Sequence, residues 1–188
     1  FQLAEGLGSA PRKNLEPQIK ALGTEGRRAV RRLGIRIGRA NVYFPALTRP
    51  AAVEARALLW ALPAGLVQPP VDIPAGRVSV PLAQGIAPDF YRAAGYMPCG
   101  RRAVRADIVE RLAEQAWTLV RDGPFAAGPE LMNLAGCSSE DIAAILALLG
   151  FRKQTTEGEV RFAAPRRRKR PPGRNKNRQA VRPRAADS

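Results

Sequence analysis

Arg27, Arg28, Arg31 and Arg32 fall at i, i+1, i+4 and i+5, which gathers four guanidinium groups on one side of a helix that Gly34 closes. Ala29, Val30 and Leu33 are left to pack. A denser set follows at Arg166, Arg167, Arg168, Lys169 and Arg170, continued by Arg174, Lys176 and Arg178. Fixed cations of this kind break no bonds. They neutralise phosphates and release counterions, following a polyanion without reading its sequence. Arg152, Lys153 and Arg161 form a smaller third set. Each set also has a plain reading, as a solvated helix side or a solubilising tail. For the last segment, cation density together with prolines and a glycine favours contact with a polyanion.

Other chemistries drop out. The chain has no histidine, which removes imidazole catalysis and mixed His/Cys zinc sites. Cys99 and Cys137 stand 38 positions apart, which is neither redox spacing nor a set of four ligands. Both read as small buried hydrophobes in a reducing compartment. No G-x-x-x-x-G-K-[S/T] run occurs, and Gly6-Leu-Gly8 lacks both a third glycine and a preceding strand. Asp107 with Glu110, and Glu140 with Asp141, sit in first turns of helices, where acids offset the helix dipole. No catalytic residue, cofactor site or metal site is expected within this segment.

The elements that must position the cations occupy 188 residues, of which 45% are hydrophobic. That is enough apolar surface for a packed core. The net charge of +15 is concentrated at the ends: residues 1–50 carry +7, 51–164 carry −1 and 165–188 carry +9. No apolar run approaches the ~18 residues of a membrane span, so a cytoplasmic location is expected. The chain begins at Phe1 rather than Met, and we expect a piece of a longer polypeptide.

Four segments emerge. Residues 1–62 read as a basic helical and strand segment, with strands near Gly34–Gly38 and Val42–Phe44 and a helix capped by Thr48 that buries Val53, Ala57, Leu58 and Ala61. Residues 63–104 read as a Pro/Gly-rich connection, holding a short strand near Arg77–Val80, a short helix at Pro88–Ala94, and a turn at Tyr96–Gly100. Residues 164–188 have a single aliphatic of any size, Val181. They cannot offset their ordering entropy, so a disordered tail is expected.

Residues 105–163 carry the clearest pattern. A helix from Asp107 places Ile108, Leu112, Gln115/Ala116 and Leu119 on one face. A short helix follows at Gly128–Ala135. Ser138 caps a third helix, with Asp141 in the capping-box position and a stripe of Ile142, Ile145, Leu146 and Leu149. A hairpin of Phe151–Gln154 and Glu159–Phe162 completes the unit. The expected fold class is therefore mainly α with short β strands: a winged-helix-like three-helix unit plus hairpin, and a disordered basic C-terminal tail. An unrelated small helical packing is the alternative. The exposed positions of the third helix are Ser139, Glu140, Ala143, Ala144 and Ala147. They are acidic or small and cannot reach base edges, so cationic contact falls to Arg152, Lys153 and Arg161 beside the wing.

Leu33-Gly-Ile-Arg-Ile-Gly38, Val42-Tyr-Phe-Pro-Ala-Leu47, Arg49-Pro50 and Ala57-Leu-Leu-Trp60-Ala61 together resemble the C-terminal region of alphaproteobacterial DEAD/DEAH-like superfamily-two helicases related to the mitochondrial RNA-degradation helicase. Phe90-Tyr-Arg-Ala-Ala-Gly-Tyr96, Cys99-Gly100, Ala103-Val-Arg105, Asp107, Glu110-Arg-Leu112, Leu134-Ala-Gly-Cys-Ser138, Glu140-Asp141, Ile145-Leu146 and Leu149-Gly-Phe151 continue it, over roughly residues 1–163. The resemblance implies a non-motor region in cis to two RecA-like lobes that bind ATP and magnesium. The family's phosphate-binding loop, acidic magnesium motif and arginine finger have no matching positions here. What it implies for this segment is help in forming an exit channel for RNA or another single strand. Tyr43, Phe44, Trp60, Phe90, Tyr91 and Tyr96 are the candidates for base stacking, most of them expected in the core. The competing expectation is a protein-interaction module with a basic solubilising tail.

Overall fold

In the computed structural model, which describes residues 1–156 and 158–165, Pro11, Pro81 and Pro98 each stand in a strand at the rim of a three-stranded sheet. Proline has no N–H to give to a ladder, so an edge is where it is tolerated. In the first sheet β1 (Ser9–Pro11), β2 (Arg36–Ile37) and β3 (Asn41–Tyr43) lie in the order β1-β3-β2, with Ala10 and Ile37 both opposite Val42. In the second, β4 (Ser79–Pro81), β5 (Tyr96–Cys99) and β6 (Arg102–Arg105) lie in the order β4-β6-β5. The third is β7 (Phe125–Ala126), β8 (Arg152–Thr156) and β9 (Glu159–Ala163), ordered β7-β9-β8. All pairings are antiparallel.

The helices are α1 (Gln2–Glu5), α2 (Arg12–Ala21), α3 (Gly23–Arg32), α4 (Pro50–Ala61), α5 (Pro88–Ala93), α6 (Ala106–Leu119), α7 (Pro129–Ala135) and α8 (Ser139–Leu148). With the 3-10 turns counted, helical residues take 51% and strands 19% of the described residues, so the fold is mixed α/β, with strands of two to five residues. No single helix among the described residues is long and apolar enough to cross a membrane. The expected disordered tail, with Arg166, Arg167, Arg168, Lys169, Arg170, Arg174, Lys176 and Arg178, lies outside the described residues.

Two apolar clusters hold the molecule, and the β5–β6 hairpin separates them. Side chains alternate across a strand. Tyr96 and Ala103 therefore enter a cluster with Val53, Ala57, Phe90 and Tyr91, while Cys99 and Val104 enter one with Ile108, Leu112, Ile142 and Phe162. This strand corrects the turn expected at Tyr96–Gly100. Pro98 suggested a break, yet at a sheet edge it costs no ladder bond. Only Gly100, at φ +61°, belongs to the turn.

The three helices and the hairpin expected between Asp107 and Phe162 form, and a short strand, β7, joins the hairpin. Ser138 Oγ accepts from the Asp141 N–H at 3.3 Å, and Ile142, Ile145 and Leu146 are buried. The Asp141 carboxylate does not reach back to the Ser138 amide as a full capping box would. It accepts from Ser138 Oγ at 3.1 Å and from Arg101 Nε at 2.8 Å. Elsewhere three expectations change. Thr48 donates its hydroxyl to Pro45 O at 2.8 Å, within a 3-10 turn (Pro45–Thr48), so α4 begins without a side-chain cap. Leu58 and Leu119 are exposed, while Arg56 is buried instead. Leu33, expected to pack, is 70% exposed, because α3 buries no residue at all.

Candidate nucleic-acid interface

α3 has little apolar support and much charge. Arg27 and Arg31, one helical turn apart, line a groove of about 710 Å³ together with Arg12, Arg36, Arg39 and Glu114. Arg28 and Arg32 lie one position further round the helix and do not line it. Arg28 pairs with Glu25 at 3.0 Å. Thus the structure brings two of the four expected α3 arginines to a concave surface, and adds Arg12, Arg36 and Arg39, which spacing alone did not single out.

The hairpin cations separate. In the β8–β9 register Gln154 faces Arg161 and Lys153 faces Phe162, so Arg152 and Arg161 share one face and Lys153 takes the other. Arg152 donates to Ala164 O at 3.2 Å, and Arg161 donates to Glu159 at 3.1 Å. None of the three lines the α3 groove.

A buried acid builds the groove wall. Glu110, from α6, is 2% exposed. Its carboxylate accepts N–H bonds from Arg39 at 2.5 Å, Ala40 at 2.9 Å and Asn41 at 2.7 Å. Those three amides carry the charge that an ion-pair partner would otherwise have to meet. Gly38 permits the approach, since a Cβ there would run into the same carboxylate. Reading Glu110 as a dipole-offsetting acid was therefore wrong: its spacing on the helix gives no sign of a partner some seventy positions away. The result is that Glu110 holds the backbone from which Arg39 projects.

Arg39 is exposed, and no carboxylate pairs with it among the described residues. Its guanidinium carbon lies 5.1 Å from the Trp117 ring centroid. Arg39 also lines a second groove, of about 850 Å³, with Arg12, Lys13, Arg92 and Trp117, and a third, of about 390 Å³, with Trp117, Arg121 and Ala164. The expected stacking rings lie elsewhere. Tyr43, Phe90, Tyr91 and Tyr96 are at most 2% exposed, and burial pushes the Tyr43 and Tyr96 hydroxyls above their ordinary range. Trp60 is half-buried, edge-on to Phe90 at 5.3 Å. Trp117 escaped notice because it sits one residue off the Ile108/Leu112/Ala116 stripe.

Several ion pairs, partly or fully exposed, trim the charge of these grooves without cancelling it. Arg12 pairs with Glu16 at 3.2 Å, Arg36 with Glu114 at 2.8 Å and Arg92 with Asp89 at 2.6 Å. Exposed pairs of this sort are worth at most about 1 kcal/mol and exchange readily for another anion. Arg56 differs. Buried and without a carboxylate partner among the described residues, it donates to Ala93 O at 2.7 Å, Ser9 Oγ at 2.7 Å and Leu47 O at 3.1 Å. Burial lowers its pKa to about 10, so it remains a cation at neutral pH and ties β1, α4 and α5 together.

Cys99 is buried, and desolvation pushes its thiol up to about 12. Cys137 is only half-buried, against the expectation for it, and burial raises its thiol as well. No group of three or more Cys, Asp or Glu side chains among the described residues is placed to hold a metal ion. The chain matches no family model, and no curated protein or solved structure is found to be similar to it.

Proposed function

We propose that this chain is a non-motor nucleic-acid-binding region that grips the phosphate backbone of a single strand without reading its sequence. One observation carries the reading: five arginines from α2, α3 and the 36–39 segment converge on one groove. Of the two acids there, Glu110 is consumed by backbone amides and Glu114 by Arg36. A concave cationic surface with its acids already engaged suits a flexible polyanion better than a compact neutral ligand.

The helicase resemblance supplies the wider setting in this proposal. RecA-like lobes in cis would bind ATP and magnesium, and this region would accept the emerging RNA strand. The order helix, strand, helix, helix, hairpin over residues 106–163 supports a winged-helix-like unit. Its α8 is no base reader: Glu140 is tied to Arg101 at 3.1 Å, and the helix contributes no cation. That unit acts as the frame from which Glu110 reaches the α3 groove and Trp117 the two grooves that share Arg39 with it.

The test is salt dependence. If about six cations engage single-stranded RNA, log K falls against log salt with a slope near −4. A slope near zero in the full chain removes the proposal. It would leave a protein-interaction role, favoured by the exposed leucines Leu58, Leu59, Leu62 and Leu66 along α4 and its exit.

A further inference from the structure

Of the aromatic rings in this fold, Trp117 has a guanidinium laid over it; it packs against the core on one side and, with Arg39, lines two grooves on the other. Trp117 is fixed from behind by Phe151, at 5.4 Å between ring centroids. The Arg39 backbone is fixed by its amide on Glu110, and its guanidinium rests on the Trp117 ring. Two planar groups therefore meet where three grooves share Arg39. Lys13 and Arg92 line one of these grooves and Arg121 another.

From this juxtaposition we propose that Arg39 and Trp117 form a stacking step for one nucleobase of a bound single strand, the base lying against the guanidinium plane that Trp117 supports. Arginine planes and aromatic rings both stack unpaired bases, and the contact tolerates any base because each has a π-face. Lys13, Arg92 and Arg121 would take phosphates along the grooves that the step opens into. An Arg–Trp contact that only stabilised the fold would have no need of cations around it, and at an exposed site would be worth little. The inference rests on the phosphate-gripping reading above and adds to it a group that touches the base.

The chain contains two tryptophans, so Trp60→Phe leaves Trp117 as the sole reporter. In this background, emission is followed while the full chain is titrated at low salt with a uridine 20-mer, and separately with inorganic polyphosphate of equal charge. Binding of each is measured independently by displacement of a labelled oligonucleotide. Both polyanions should bind, and only the one with bases should quench Trp117. Arg39→Lys keeps the charge and loses the plane. It should leave the salt slope unchanged while weakening oligonucleotide binding about fivefold and removing most of the quench. Equal emission changes with both polyanions, or an Arg39→Lys protein indistinguishable from its parent, overturns the stacking step and leaves backbone contact standing. Failure of both polyanions to bind overturns the backbone reading, and the stacking step with it.

Discussion

α3 and α8 have the same length, ten residues, and opposite constitutions. α8 is capped by Ser138, opens on acids that complement its dipole, and buries Ile142, Ile145 and Leu146. α3 has no side-chain cap and no buried residue, and carries four arginines. A helix this short is marginal in water without tertiary packing. What sustains α3 is its junction with α2, including the Arg27 bond to Ile19 O at 3.1 Å. The contrast shows that stability and charge are divided between regions. The 106–163 unit supplies most of the larger apolar cluster, the N-terminal segment supplies the groove cations, and Glu110 is a buried joint between them.

Breaking that joint should have the largest effect. Glu110→Ala leaves the Arg39, Ala40 and Asn41 amides without their acceptor. A loss of about 3–5 kcal/mol is expected in urea unfolding, with weaker RNA binding at temperatures where the protein is still folded. Glu110→Gln keeps one acceptor oxygen and should fall between. An unchanged midpoint for Glu110→Ala would mean that the two regions are held together by something else.

The contrast sharpens further inside the two helices. Ile142→Ala removes a side chain that is 0% exposed and should cost about 2–5 kcal/mol. Val30→Ala, on the half-buried side of α3, should cost less than about 1 kcal/mol. Similar losses in the two variants would show that α3 packs far more deeply than it does here.

The helices from α3 onward were legible in the sequence because most of their stops are local, whereas α1 and α2, the latter with Pro17 inside it, drew no reading. Ser138 with Asp141, Pro129 with Gly136, and Gly95 after α5 all announce themselves within a few residues. The β8–β9 hairpin was legible for the same reason. What escaped were long-range polar contacts and edge strands. Glu110 meets amides seventy positions away, Arg56 buries a charge on carbonyls and a hydroxyl, and Pro98 sits in a strand that only its place at the rim allows. Of the site, Arg27 and Arg31 were readable from helical spacing. Arg12, Arg36 and Arg39 were not, because three separate elements bring them together. Trp117 lay off the apolar stripe that drew attention to its neighbours.

The cysteines compare depth by titration. The Cys99 thiol lies near 12 in the folded chain and about 8.5 when unfolded. Its folded value is raised, so its contribution is complete below the unfolded value and is lost as pH climbs from about 8.5 toward 12. At pH 10 the loss amounts to roughly 2 kcal/mol. Cys99→Ala should flatten stability over pH 8–10, measured by urea midpoints, and Cys137→Ala should flatten it less because that thiol is half-buried. Equal flattening would place both thiols at the same depth.

The smallest effect separates the two exposed cation sets. Arg27→Ala with Arg31→Ala removes two groups from the groove, and Arg152→Ala with Arg161→Ala removes two from the hairpin face. Net charge changes equally, so a general polyanion attraction predicts equal losses. A groove that engages phosphates directly predicts a salt slope for single-stranded RNA shallower by about 1.4 in the first variant alone. The hairpin variant should keep its slope, because neither Arg152 nor Arg161 lines the groove. Anisotropy titrations between 50 and 200 mM salt, roughly the range over which such slopes are read, resolve the two. Matching slopes in both variants would move the contact from the α3 groove to the charge of the molecule as a whole, and the concave surface would lose its claim to the strand.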